Sequence, residues 1–175
     1  SAKFAKNPDE IWYVTDRGNE FNRLASLNLK TKKISYFTTD IPWEVSGYTL
    51  SKDKSKIAFE TNESGLNKMY LMDANSKKYS EIKGLPVGLV NNFEFTNDGK
   101  SLFFSQSTYD SSADIYRLDL ATNKIERWTD SEQGEMQKTD MSAPKLIEWK
   151  SFDGMKITGF YYPVSKKFTG KRPVL

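Results

Sequence analysis

The feature that most constrains this chain is a repeat. Asn97-Asp98-Gly99-Lys100-Ser101-Leu102-Phe103-Phe104 is followed by Asp114-Ile115-Tyr116-Arg117-Leu118-Asp119-Leu120, and parts of both return at a fixed interval. Phe93 and Phe95 alternate with polar neighbours ahead of the turn, a period of two that marks a strand. Asp98-Gly99 suits a tight turn with positive backbone angles. Leu102 to Phe104 reads as a strand buried on both faces, Tyr116, Leu118 and Leu120 share one face of the next, and Lys124 to Trp128 closes the set. One copy earlier, Asp53 precedes Asp98 by 45 residues and Tyr70 precedes Tyr116 by 46. A third copy, with Ala25, Leu27 and Leu29, lies 91 residues before Tyr116, Leu118 and Leu120. Four short antiparallel strands recurring every ~40–45 residues mark a β-propeller blade.

The repeats divide residues 1–140 into blades of about 1–40, 41–85 and 86–130, then a linker. Within them, Val45 to Leu50 is expected to be the innermost strand of the second blade, and that of the first blade to be short or missing. Asn62 to Asn67 and Ser107 to Ser112 read as polar loops projecting on one face. Lys54 stands where the third blade has Gly99, which predicts a different turn there. Asp130 to Ser142 has no usable period. Beyond it, Leu146 to Ser151 and Met155 to Tyr162 flank Phe152-Asp153-Gly154, a hairpin pattern outside the 45-residue register. The expected fold is all-β: about three four-stranded antiparallel blades, followed by a hairpin that belongs to a different domain.

The Asn97 to Phe104 stretch resembles the Ser-Pro-Asp-Gly-Lys propeller repeat, with Asn97 where that pattern has proline. Ala143 to Pro163, with Trp149-Lys150-Ser151-Phe152-Asp153-Gly154 at its centre, and the ending Lys171-Arg172-Pro173-Val174-Leu175 resemble a known junction. It is that between propeller and hydrolase domain in the prolyl oligopeptidase family of serine peptidases, which includes acylaminoacyl-peptidases and dipeptidyl-peptidases. The resemblance implies that 141–175 holds the first strands of an α/β-hydrolase domain, the rest lying beyond Leu175. It also implies a propeller that restricts access to a peptidase site, favouring short peptides. The family's glycine-rich oxyanion loop, elbow serine, triad acid and triad histidine match no position of this chain.

Residue chemistry agrees. The 175 residues include no histidine and no cysteine. A Ser-His-Asp triad, a disulfide and thiolate or imidazole metal ligands therefore cannot be built from them. No Gly-x-Ser-x-Gly elbow and no glycine-rich phosphate loop occurs. No catalytic, cofactor-binding or metal residue is assigned, no cofactor is expected, and the chain by itself is expected to be inactive. Asp9-Glu10, Asp73, Asp98 and Asp119 fall at turns or strand ends, where aspartate closes bends, rather than forming catalytic pairs. Trp12, Tyr13, Phe59, Tyr70, Phe103, Phe104, Tyr116 and Trp128 fall at repeat positions and are expected to pack between blades, with a peptide- or sugar-stacking platform as the sharper reading. Trp149 is expected at the domain junction.

The net charge of +3 is spread, with no basic run interleaved with aromatics, so nucleic acid is not an expected partner. No apolar run reaches membrane-spanning length. Expected partners are the remaining blades and hydrolase domain, with self-association through exposed blade edges. The compartment stays open between cytoplasm and an exported location. The alternative function is a non-catalytic propeller scaffold for protein–protein contact.

Overall fold

The computed structural model describes residues 2–165, 167 and 169–171. Its strands form three four-stranded antiparallel sheets and one two-stranded sheet. The first contains β1 (Ala2–Phe4), β2 (Glu10–Thr15), β3 (Arg23–Asn28) and β4 (Ile34–Tyr36), each beside the next. The second contains β5 (Glu44–Leu50), β6 (Lys56–Glu63), β7 (Leu66–Asp73) and β8 (Tyr79–Glu81). The third contains β9 (Gly88–Phe95), β10 (Ser101–Thr108), β11 (Ser111–Asp119) and β12 (Ile125–Arg127). β13 (Lys145–Lys150) and β14 (Lys156–Tyr161) make the separate hairpin. These are partial propeller blades. The innermost strand of the first sheet is present as β1, three residues long.

One local device builds the outer turn of every blade. The side-chain oxygens of Asn28, Asp73 and Asp119 accept hydrogen bonds from the backbone N–H groups two and three residues on, at 2.7–3.0 Å. Four residues on, Lys32, Lys77 and Asn123 take positive φ of 60°, 62° and 57°. An aspartate or asparagine that satisfies the bend's own amides makes the turn self-sufficient.

The inner turns also repeat. Gly99 donates its N–H to the Thr96 carbonyl at 2.9 Å, and Lys54 donates to that of Ser51 at 2.8 Å. The hydroxyls of Thr96 and Ser51 each donate to the following aspartate, Asp98 or Asp53, at 2.6 Å. Lys54 has φ 59° and Gly99 φ 66°, so both blades use the same turn, contrary to the expectation that lysine forces another. Asp98 is not left-handed; only its glycine is. The anchoring bonds around Asp53 hold Lys54 in a conformation that its own preference disfavours.

The expected polar loops are mostly strand. β6 runs to Glu63 and β7 starts at Leu66, leaving Ser64-Gly65 as a two-residue turn with φ 58° and 86°. β10 and β11 leave only Tyr109-Asp110 between them. Polar side chains at these strand ends lie beside a backbone ladder, unbroken in β6–β7 and shifted once between Gln106 and Thr108 in β10–β11, and the ladder sets the structure. Asp130 to Ser142 holds a single 3-10 turn at Lys138–Asp140.

Two clusters join the blades. Trp12, Leu24, Val45, Tyr48, Ile57, Phe59, Tyr70 and Met72 pack between the first and second. Ala58, Met69, Val90, Phe93, Leu102, Phe104, Tyr116 and Leu118 pack between the second and third. Ile57 and Phe59 face one way along β6 and Ala58 the other, so the middle sheet is buried on both faces. Of the expected core aromatics, Trp128 is 60% exposed, with its ring edge-on to half-buried Phe103 at 4.7 Å. Phe37 and Trp12 occupy the places equivalent to Trp128 and Phe103 two blades earlier, at 4.9 Å, and there the second blade covers Trp12. Tyr13 is likewise half-buried on the outward face of the first blade. Equivalent repeat positions are buried where a neighbouring blade lies against them.

Candidate interdomain face

The β6–β7 and β10–β11 turns lie near one another, and the C-terminal hairpin meets the blades there. Phe160 of β14 rests on Gly65: a Cβ on that glycine would lie 2.8 Å from Phe160 Cε2. Gly65 is needed twice over, for this contact and for its φ of 86°. Beside it is an open groove of about 360 Å³, whose lining includes Val87, Leu89, Tyr109, Pro144, Phe160 and Tyr162. Trp149 is not at this junction. It is 49% exposed and covers Gly159 of its own hairpin, where an added Cβ would meet the indole at 3.1 Å. Every residue of β13 is exposed.

Three polar clusters stand near these strand ends. Asp114 is wholly buried and accepts hydrogen bonds from Thr129 Oγ1 at 2.9 Å and Ser131 N at 2.8 Å. Ser111 donates to it as well, and Arg127 pairs with it at 2.5 Å. Burial pushes the Asp114 carboxyl up, but the Ser111, Thr129 and Ser131 bonds outweigh it and hold the acid well below its usual range. The result clasps the chain where it leaves the third blade. Glu63 accepts from Tyr70 Oη at 2.8 Å and Thr61 Oγ1 at 3.1 Å, and pairs with Lys68 at 2.6 Å. Against the effect of burial, these partners lower its pKa.

Glu60 differs. Burial raises its pKa, partly offset by the hydrogen bond from Asn67 Nδ2 at 3.0 Å. It pairs in register with Gly47, at a β-bulge between Val45 and Gly47 of the inner strand. The corresponding bulge in β9 includes Asn92, at φ 48°. Asp53, Asp73, Asp98 and Asp119 each bond to their own turn, which lowers their pKa values. Among the described residues no group of three or more acidic side chains could hold a metal ion. Among the described residues no helix is long and apolar enough to cross a membrane.

Sequence reading missed Glu60, the Asp114–Arg127 clasp and the Phe160–Gly65 seat. Glu60 left a signal: its repeat equivalents are Val14 and Ser105, neither of them charged. The clasp and the seat join residues from different turns of the fold, and nothing local announces them. Of the junction residues, Arg172 to Leu175 lie outside the described residues.

This arrangement of blades and hairpin has counterparts among solved structures. A puromycin hydrolase matches 100% of this chain with 27% of its own, at TM-score 0.80 and 16% identity. The fold is that of part of a β-propeller like those of the prolyl oligopeptidases. Prolyl oligopeptidase B from Galerina marginata, solved with a 35mer hydrolysis and macrocyclization substrate, matches 91% of the chain at TM-score 0.74 and 14% identity. TolB from Acinetobacter baumannii matches 95% of the chain and 38% of its own length, at TM-score 0.59 and 20% identity. The chain spans about a quarter of the length of the prolyl oligopeptidases it matches. No family model matches the sequence, and no curated protein matches it. At these identities the likeness is one of fold.

Proposed function

We propose that this chain is the propeller portion of a serine peptidase that cleaves short peptides, with its blades gating access to a hydrolase domain lying mostly beyond Leu175. In this reading residues 1–140 are propeller and linker, and 141–175 open the hydrolase domain. The observation that carries it is the off-register hairpin after the third blade, in a chain whose likeness to puromycin hydrolase extends over its full length. A scaffold needs blades but has no evident use for that hairpin. The chain contributes walls and a docking face rather than reacting groups, since it has no histidine to serve as a triad base.

The coding sequence downstream of Leu175 tests the reading. A glycine-rich loop within a few residues, a Gly-x-Ser-x-Gly elbow and a later histidine are expected. A stop codon there, or a continuation without them, would favour the non-catalytic scaffold. The chain alone should leave aminoacyl and dipeptidyl chromogenic substrates intact; turnover that survives repurification would contradict its accessory role.

A further inference from the structure

The end of the blades away from the hairpin holds a pocket that the repeat does not require. It lies between the first and second blades, has a volume of about 230 Å³, and its lining includes Lys6, Glu10, Trp12, Lys54 and Lys77. These residues come from the β1–β2, β5–β6 and β7–β8 turns and the start of β2. Lys77 is half-buried there. Its Nζ lies 4.3 Å from the centre of the Trp12 ring, 5.4 Å from that of Phe37 and 4.0 Å from Glu10 Oε1. Lys54 Nζ donates to the Ala5 carbonyl at 3.1 Å, which fixes a second ammonium at the pocket, and an ammonium has two donors beyond that one. One interface on, the repeat has Gly99 for Lys54, Asn123 for Lys77 and Ala58 for Trp12. Those turns fold alike without the two lysines, so the charge belongs to this pocket and not to the blade.

We propose that Lys77 is an acylation site: the pocket receives a small acyl phosphate by its anionic end, and the Lys77 amine takes the acyl group. Lys54 and Lys6 attract the phosphate. The amine nitrogen attacks the carbonyl carbon, the N–C bond forms, the C–O bond to phosphate breaks, phosphate leaves and the amine proton passes to water. The attack needs a neutral amine. Burial pushes the Lys77 pKa down, against Glu10 and Asp73, which push it up. A lysine desolvated or placed beside another cation is the kind that serves as a nucleophile. Here Lys54 faces it from the β5–β6 turn and Lys6 from the β1–β2 turn, while Glu10 of β2 is the acid in the lining. The site belongs to the first two blades and does not depend on the peptidase reading.

Two reagents test this: acetyl phosphate, and acetic anhydride as an acyl donor without charge. Peptide mass spectrometry gives the initial rate of acetylation at each lysine near neutral pH. With acetyl phosphate, Lys77 should react at least about fivefold faster than the exposed Lys52 and Lys138, the effect of somewhat under one unit of pKa. Added inorganic phosphate should slow the acetyl phosphate reaction at Lys77 and not at Lys52. Lys54→Gly copies the turn of the third blade and should melt as the parent does. It should lower the Lys77 rate with acetyl phosphate roughly threefold, the scale of one exposed charge contact, and the rate with acetic anhydride less. A Lys77 rate no higher than that of Lys52 and Lys138, indifference to inorganic phosphate, or the same fractional change with both reagents in Lys54→Gly would overturn the proposal.

Discussion

The middle blade and the C-terminal hairpin are built from similar residues and end up in opposite environments. Ile57, Ala58 and Phe59 of β6 are fully buried, whereas Ile147 and Trp149 of β13 are 44% and 49% exposed. Both strands are rich in β-forming residues, and both pair antiparallel through a complete register. The difference lies in what covers them. A blade in the middle of the row has a sheet on each side, while every residue of β13 in the hairpin is exposed. Strand formation is local, but burial belongs to the arrangement of sheets.

The strongest challenge to that contrast is truncation on each side of it. Phe59→Ala should cost about 3–5 kcal/mol, the usual loss for an aromatic removed from a packed core. Trp149→Ala should cost under about 1 kcal/mol, because its ring is half in solvent. Urea melts of the two variants give the comparison directly. Equal losses would mean that the hairpin is as integral to the cooperative unit as the blades.

The next test sharpens the boundary between them. Asp114→Asn removes a buried charge that fastens the exit from the third blade, and should cost about 2–3 kcal/mol at neutral pH, somewhat less than breaking a wholly buried pair. The folded carboxyl is held below its unfolded value, so the unfolded chain binds more protons in that range. The stabilisation is therefore present above the unfolded value, near pH 4, and is lost as pH falls toward the folded one. The stability gap between parent and variant should narrow on acidification below about pH 4. A gap independent of pH would show that packing, not charge, secures the exit. Glu60 works in the opposite sense: its contribution is largest at low pH and declines as pH rises through its elevated value.

The smallest effect compares two blades with each other. Gly99→Val places a β-branched residue at φ 66°, with no neighbour in the way, and should cost about 1–3 kcal/mol from backbone strain alone. Lys54 occupies the same turn with a side chain, so the penalty belongs to residue type and not to the turn. Thermal melts that show no loss would place the strain elsewhere.

The turns were the most legible part of this molecule. Asn28, Asp73 and Asp119 each close a bend with bonds that reach only three residues ahead, so their spacing in the chain reports the blades directly. Reading went astray where sequence and ladder disagree. Asn62, Glu63, Thr108 and Ser111 have loop-like composition, yet they extend strands because their backbone groups find partners across the hairpin. Trp128 carries the signature of a core residue, but among the described residues nothing lies over it in the manner that the second blade lies over Trp12.

The sequence by itself determined the number of blades, the bends at Asp73, Asp98 and Asp119 and the separateness of the last hairpin, because all three follow from short-range hydrogen bonding and a regular repeat. Only the tertiary structure decided that Phe160 sits on Gly65 and that Asp114 gathers Ser111, Arg127, Thr129 and Ser131. These contacts join residues from different strands and turns, and no periodicity encodes them. A side chain's partner at that range is fixed by how finished sheets stack, which the chain reaches only after its local turns have formed.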